Sequence, residues 1–433
     1  MSNIAVFGMG YVGCVTAACL SRDGHKVIGV DVDEEKIAAI SAGRAPVSEL
    51  GLSDLMADVV DAGRLEATDD VADAVQRSEI AFVAVGTPSD HTGAVFSGSV
   101  ERVVEAIGQA LRGSRRHYLV VIRSTLLPGI LEEQLSPLLE QSAECKLGRL
   151  LCLCNHPEFL REGSAIHDYD EPPFIVVGAN GAREAEQVFD LYGKIDAERI
   201  LTDTRTAALV KYTCNAFHAL KVTFANEIGT LARSFGANGH EVMQMVCRDR
   251  KLNISPAYMK PGFAFGGSCL PKDLRGLTRH AEQQALRLEL LKSILPSNDS
   301  HLDRAIRMVQ DAGQRSIGII GLSFKAGTDD LRESPLVMLA ETLMGRGYDL
   351  KIYDPGVAPS RLIGQNLAYA DRHLPHLAAM LTDEPEEVFH HSSLLVLGTD
   401  VADDLDWKMK YSGDVIDLRY DLGAPWRLLT TVQ

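Results

Sequence analysis

Residues 4–13 read IAVFGMGYVG. Four apolar residues run into Gly8-Met9-Gly10-Tyr11-Val12-Gly13, which fits the G-x-G-x-x-G turn joining a buried strand to a helix in a dinucleotide-binding unit. Each glycine has a reason. Gly8 permits the tight turn, Gly10 lets the backbone approach a pyrophosphate, and Gly13 lets the helix pack closely. The helix N-terminus then faces the negative charge. Asp31 closes the next apolar run, KVIGVDVD, about 20 residues on, where an acid would meet a ribose hydroxyl. An acid there favours a free 2′-hydroxyl and repels a 2′-phosphate, so NAD is expected rather than NADP.

Outward from this turn, strand and helix patterns alternate. EIAFVAVGTP and HYLVVIRST read as further buried strands, ending in Thr87-Pro88 and in Ser124-Thr125. The carboxyl ends of parallel strands are where such sheets bind ligands. Residues 204–235 then carry almost no helix breakers, so one long helix is expected, loosened at Gly229. After it the first pattern returns: RSIGIIGLSFK, YDLKIYDPGV, SSLLVLGTD and GDVIDLRY. The expected fold is α/β, with two Rossmann-like doubly wound parallel-sheet domains joined by a long central helix. The expected division is a dinucleotide-binding domain at 1–203, a helical region at 204–300 and a second α/β domain at 301–433.

Composition agrees with a multidomain globular chain. It has 433 residues, 46% of them apolar and 24% charged, too many for a single core. The formal net charge of −16 argues against nucleic acid or an anionic membrane as partner. No leader and no transmembrane run is visible. The eight cysteines are irregularly spaced, which fits reduced thiols in a cytoplasmic protein. Cys152 and Cys154 lack the second pair a zinc site needs, so no metal is expected.

Two features carry chemistry. Lys211, Asn215, His218 and Asn226 fall on one side of the long helix at about 100° per residue. Their neighbours Tyr212, Phe217 and Leu220 are apolar, and a polar stripe in such company must find partners or line a cleft. The other feature is FAFGGSCLPKD, residues 263–273. Pro271 suits the first turn of a helix, which puts Cys269 beside a positive dipole end and near Lys272; both raise a thiolate fraction. Gly266 and Gly267 allow close backbone approach. The residues alone leave two readings open: a nucleophile, or a small buried hydrophobe. A nicotinamide cofactor together with an activated thiol points to oxidation of an alcohol to the acid level, because a thiohemiacetal loses hydride to give a thioester that water cleaves.

Taken together, these blocks resemble the nucleotide-sugar 6-dehydrogenases, the family of UDP-glucose and GDP-mannose dehydrogenases. GMGYVG, VGTPS, RSTLLPG, PEFLREG, KYTCNAFHALKVTFANEIG, KPGFAFGGSCLPKD and GLSFKAGTDDLRESP follow in the family's order. The long-helix block is most similar to the GDP-mannose branch, which makes the uronic acid of alginate-type polysaccharides. The resemblance implies that Cys269 is the nucleophile and that Lys211 and Asn215 assist at the reacting oxygen. It implies Glu158 as base toward water in thioester hydrolysis, with Thr125 and Asp273 placing that water. It assigns Tyr11, Val12, Asp31, Lys36, Thr87, Thr125, Lys272 and Arg332 to NAD. To the nucleotide sugar it assigns Glu162, Lys211, Asn215, His218, Asn226, Tyr258, Lys260, Phe263, Gly266 and Lys325. It further implies a homo-oligomer through the central helix, with the loop of Lys260 donated by a partner.

Some positions depart from the family pattern. His156 stands where asparagine is usual before Pro-Glu-Phe. Ala208 replaces a glutamate, Ala257 precedes Tyr258 in place of a second tyrosine, and Lys260 stands where arginine is common and could make a bidentate pair. Three alternatives stay open: the same chemistry on a UDP-sugar, a two-electron β-hydroxyacid dehydrogenase, and a nucleotide-binding regulator without activity. Cys269 and the segment after Ser316 speak against the second, and the joint retention of Cys269, Lys211, Asn215 and Glu158 against the third.

Overall fold

The computed structural model describes all residues except 89–94, 260, 261, 268, 325–327, 329, 358–368, 370, 371, 375 and 420–433. Its contacts divide the chain into two compact units, residues 1–219 and 220–433.

The first unit is built on eight strands: β1 (Asn3–Phe7), β2 (Lys26–Val30), β3 (Leu65–Thr68), β4 (Ile80–Val83), β5 (Tyr118–Ile122), β6 (Leu151–Asn155), β7 (Phe174–Gly178) and β8 (Glu198–Thr202). Their order is β3-β2-β1-β4-β5-β6-β7-β8. Neighbours pair in parallel, except that β6 and β7 meet antiparallel at Asn155 and Gly178. The sheet is therefore parallel in two blocks, a qualification of the purely parallel sheet expected from sequence.

Strand alternation explains why β1 lies in the middle. Ile4 and Val6 point into one hydrophobic core, together with Cys14, Ala18 and Leu20 of the helix Tyr11–Arg22. Ala5 and Phe7 point into the core on the opposite face, with Val100 and Val104 of the helix Gly98–Ala110. A strand covered on both faces must be apolar at every position. Each such fully buried Ile, Val or Phe contributes about 1.5–3 kcal/mol relative to exposure. The chain moves outward from β1 to β3 and then returns to β4 on the other side of β1, so the strand order reverses at the carboxyl ends of β1 and β4, where ligands bind in such sheets.

After β8 comes the helix Thr204–Ser234, 31 residues long. It does not break at Gly229. A Cβ there would meet nothing within 4 Å, but one on Gly239 would lie 2.7 Å from the Gly229 Cα. Gly239 thus permits the close approach of its own helix, Gly239–Arg248, to the backbone at Gly229.

The second unit carries four parallel strands, β9 (Ser316–Ile320), β10 (Asp349–Tyr353), β11 (Leu394–Leu397) and β12 (Asp414–Asp417), in the order β10-β9-β11-β12. Ile317 and Ile319 bury one face against the helices Glu289–Asp311 and Pro335–Gly345, while Ile320 joins Phe389 and Trp407 on the other. Among the described residues no helix is long and apolar enough to cross a membrane.

Candidate active site

The glycine turn occupies the reversal point. Gly8 has φ +95°, and a Cβ on it would sit 2.7 Å from Val85 beyond β4. Gly13 is held more tightly: a Cβ there would lie 1.8 Å from the Gly8 carbonyl oxygen. Gly10 differs from both, for nothing approaches its Cβ position within 4 Å. The first and third glycines are thus demanded by the protein's own packing, and the second leaves open the place a Cβ would fill, as a pyrophosphate cradle requires. The helix Tyr11–Arg22 starts there with no side-chain cap and no acid in its first turn. Its leading N–H groups, with Val12 among them, suit an anion.

Asp31 stands beside this turn. Its Oδ2 accepts from the Met9 N–H at 2.7 Å and from Lys36 Nζ at 3.3 Å, and its Oδ1 accepts from the Asp33 N–H at 3.0 Å. The acid is therefore oriented by the turn it faces, and Lys36 is drawn into the same site. On the other side, Thr87 Oγ1 donates to the Thr125 carbonyl at 2.9 Å, and Ser124 Oγ donates to the Val85 carbonyl at 2.7 Å. These bonds tie the loops after β4 and β5 together. The residues present thus fit a dinucleotide with a free 2′-hydroxyl.

The catalytic candidates of this unit meet one another. Lys211 Nζ lies 2.9 Å from Glu158 Oε1, and the two side chains are only 9% and 12% exposed. Glu158 Oε2 accepts from the Leu160 N–H at 2.7 Å, which fixes the carboxylate. The Lys211 ammonium also lies 5.6 Å from the centre of the Phe159 ring. The helix delivers Lys211 and the loop after β6 delivers Glu158, so a buried charge finds its partner across two elements.

His156 explains how that loop is held. Its Nδ1 lies 2.8 Å from the Val176 carbonyl and its Nε2 lies 3.0 Å from Tyr192 Oη. A carbonyl only accepts, so Nδ1 carries the proton and Nε2 accepts from the tyrosine. Burial, reinforced by the Arg123 charge, pushes the imidazole pKa down to about 3. The residue at the family's asparagine position is thus a neutral strut that joins the end of β6 to β7. A cavity of about 360 Å³ adjoins it, lined by Arg123, Phe159, Tyr169, Tyr192, Cys214 and His218 among others. Arg123 is 4% exposed, and its Nε and Nη1 have no hydrogen-bond partner among the described residues.

Glu49 ties the start of the helix Tyr11–Arg22 to the loop after β6. Its Oε2 accepts from the Tyr11 hydroxyl and from the Gly163 N–H at 2.7 Å, and its Oε1 accepts from the Ala165 N–H at 3.0 Å. Glu162 lies exposed in the loop so tethered. No spacing or motif marks Glu49 in the sequence.

The polar stripe is wetter than its composition suggests. Lys211 is buried, but Asn215, His218 and Asn226 are exposed. So are the apolar Leu220 and Val222, at 46% and 62%. Ala208, where a glutamate is common, is buried at 7%.

In the second unit, Cys269 is exposed, whereas Cys14, Cys19, Cys152 and Cys154 are buried. The reading of Cys269 as a small buried hydrophobe therefore fails. Cys269 caps the helix Leu270–Gln283, which has a proline in its first turn, and its carbonyl accepts from the Asp273 N–H at 2.9 Å. Lys272 and Asp273 pair at 3.4 Å on the surface. The close approach that Gly266 permits is to protein: a Cβ there would lie 2.2 Å from the Glu333 carbonyl oxygen. The Glu333 carboxylate also grips Arg275 through two bonds, at 2.6 and 2.8 Å. Glu333 thus holds both flanks of the cysteine. Arg332 beside it makes a two-bond pair with Asp330, at 2.7 and 2.8 Å. Phe263 packs against the core of this unit, and Tyr258 is 88% exposed with φ +62°. Lys260 and Lys325 lie outside the described residues.

A doubly wound sheet with a bare glycine turn at its reversal point and an oriented acid beside it defines a dinucleotide-binding α/β protein. Comparison with known proteins narrows the class. The chain belongs to the UDP-glucose/GDP-mannose dehydrogenase family: residues 2–196 match its NAD binding domain, 205–300 its central domain and 318–420 its UDP binding domain. It is 46% identical to the GDP-mannose 6-dehydrogenase of Pseudomonas aeruginosa over 92% of this chain and 91% of that one. It is 32% identical to a UDP-glucose 6-dehydrogenase of Haloferax volcanii over 82% of this chain and 83% of that one. A crystal structure of a ternary complex of the Pseudomonas aeruginosa GDP-mannose dehydrogenase superposes with a TM-score of 0.93, at 44% identity and 96% coverage of both chains.

Proposed function

We propose that this protein is an NAD-dependent GDP-mannose 6-dehydrogenase that converts the C6 hydroxyl to a carboxylate. The observation that carries the chemistry is the buried Lys211–Glu158 pair in a chain of this family. The choice of sugar nucleotide rests on the higher identity to the GDP-mannose enzyme than to the UDP-glucose enzyme.

NAD, when bound, takes a hydride in each of two oxidations. Its sites are Gly8, Gly10, Tyr11, Val12, Gly13, Asp31, Lys36, Thr87, Thr125, Lys272 and Arg332. Lys211 and Asn215 hold the reacting oxygen, which loses its proton in the first oxidation. The Cys269 thiolate adds to the aldehyde carbon to give a thiohemiacetal, and loss of a second hydride leaves a thioester. Glu158 takes a proton from water as it attacks, with Thr125 and Asp273 placing that water, and the C–S bond breaks to release the acid. Alcohol, two NAD⁺ and water thus give carboxylate, two NADH and three protons. Glu162, His218, Asn226, Tyr258, Lys260, Phe263, Gly266 and Lys325 bind the nucleotide sugar. We assign residues 1–203 to the cofactor, 204–300 to catalysis and self-association, and 301–433 to the nucleotide. The exposed Leu220 and Val222 on the long helix support a homo-oligomer formed there. Unbridged thiols support a cytoplasmic enzyme, and its service in polysaccharide synthesis rests on the family resemblance.

The test is to supply NAD with GDP-mannose or with UDP-glucose and count NADH per sugar consumed. Two NADH with GDP-mannose alone is the expected result. Two with UDP-glucose alone overturns the substrate, and one NADH overturns the thioester route.

A further inference from the structure

We propose that Glu49 is a positioning residue that couples occupancy of the dinucleotide site to the nucleotide-sugar loop, so that each ligand tightens binding of the other. The inference rests on the assignment of Tyr11 to the cofactor and Glu162 to the sugar nucleotide.

One carboxylate joins two pieces of chain that are distant in sequence. Tyr11 is the first residue of the helix whose N-terminus faces the pyrophosphate cradle. Its hydroxyl donates to Glu49 Oε2. The same oxygen accepts from the Gly163 N–H, which also lies 3.0 Å from the Tyr11 hydroxyl. Glu49 Oε1 accepts from the Ala165 N–H. The Tyr11 hydroxyl lies 3.3 Å from the Arg161 carbonyl as well. Glu162 is therefore flanked on both sides by residues fastened to Tyr11 or Glu49.

The platform is firm. Val47 packs against the core two residues before Glu49, and two residues after it Gly51 takes φ +76° to start the helix Leu52–Asp61. Burial and the bond to Glu49 push the Tyr11 pKa up to about 12, so the phenol keeps the proton it donates. A carboxylate accepting three hydrogen bonds has charge-assisted contacts, which are shorter and stronger than neutral ones. A ligand that seats the Tyr11 turn seats the 161–165 loop with it. By linkage, the effect must run equally in both directions.

The experiment measures the dissociation constant of NADH with and without saturating GDP-mannose, and that of GDP-mannose with and without NADH. NADH supplies no oxidant, so nothing turns over. In the full-length wild-type protein each ligand should tighten the other by the same factor, about tenfold, within the usual range for coupled sites. In Glu49→Gln and in Tyr11→Phe that factor should fall toward one. The double variant should lose no more coupling than either single variant, because both remove one link. A purely structural role would weaken both ligands and leave the ratio intact. Tyr11→Phe keeps the ring in its core contact and serves if Glu49→Gln does not fold. An unchanged factor in the variants, or a factor of one in the wild type, overturns the proposal. Should GDP-mannose fail to bind while UDP-glucose binds, the substrate assignment falls and the same ratio is read with UDP-glucose.

Discussion

Lys211 Nζ and Glu158 Oε1 lie 2.9 Å apart with both side chains close to fully buried. Neither charge is worth burying alone, and each makes the other tolerable. Glu158→Gln should therefore act twice. Leaving the lysine without its counter-charge should cost about 3–5 kcal/mol of stability, read as a lower urea midpoint. Loss of a general base should lower the rate of acid formation by about 10²–10⁴-fold. A variant that matches the wild type in both measurements would exclude the pair from catalysis.

The glycine turn predicts a separation between folding and binding. Gly10→Ala adds a methyl group where the protein has nothing within 4 Å, so its thermal midpoint should stay near wild type while NADH binding weakens about tenfold or more. Gly13→Ala places a methyl group against the Gly8 carbonyl, so it should lose stability and binding together. Equal effects in the two variants would contradict separate roles for Gly10 and Gly13.

His156 gives a pH signature. Its imidazole titrates near 3 when folded, against an ordinary value of 6.5. Between those values the unfolded chain holds a proton that the folded chain does not. The favourable contribution is complete above about pH 6.5 and is lost as pH falls toward 3, by about 1.4 kcal/mol per pH unit. His156→Asn removes this group, so unfolding free energies at pH 7 and pH 5 should differ less in the variant. The same difference in both proteins would count against a neutral buried histidine.

Cys269→Ser keeps the size and exposure of the side chain but removes the thiolate. Production of uronate should fall by at least about 10³-fold, because a serine hydroxyl is a poor nucleophile without an adjacent base. Chromatography of the sugar products checks this directly. Full acid production by the variant would remove the covalent intermediate from the mechanism.

Glu333 offers a test of how the cysteine is held. Glu333→Gln keeps the carbonyl beside Gly266 but weakens the two-bond grip on Arg275. Turnover should fall about tenfold, with NADH affinity preserved. Unchanged turnover would show that the Arg275 pair does not position Cys269.

The elements and the kind of chemistry can be read from the chain alone. The IAVFGMGYVG turn with Asp31, the breaker-poor run 204–235 and the returning β-patterns after residue 316 were legible because they are local: apolar runs, glycine spacing and caps act within a few residues. Folding supplied what local signals cannot carry. It set β6 and β7 antiparallel, made His156 a neutral strut, and drew Glu49 to Tyr11 and Glu333 to the cysteine loop. These partners are far apart in the chain, and a hydrogen bond between them leaves no period or motif behind. Only the folded chain brings the two groups within bonding distance.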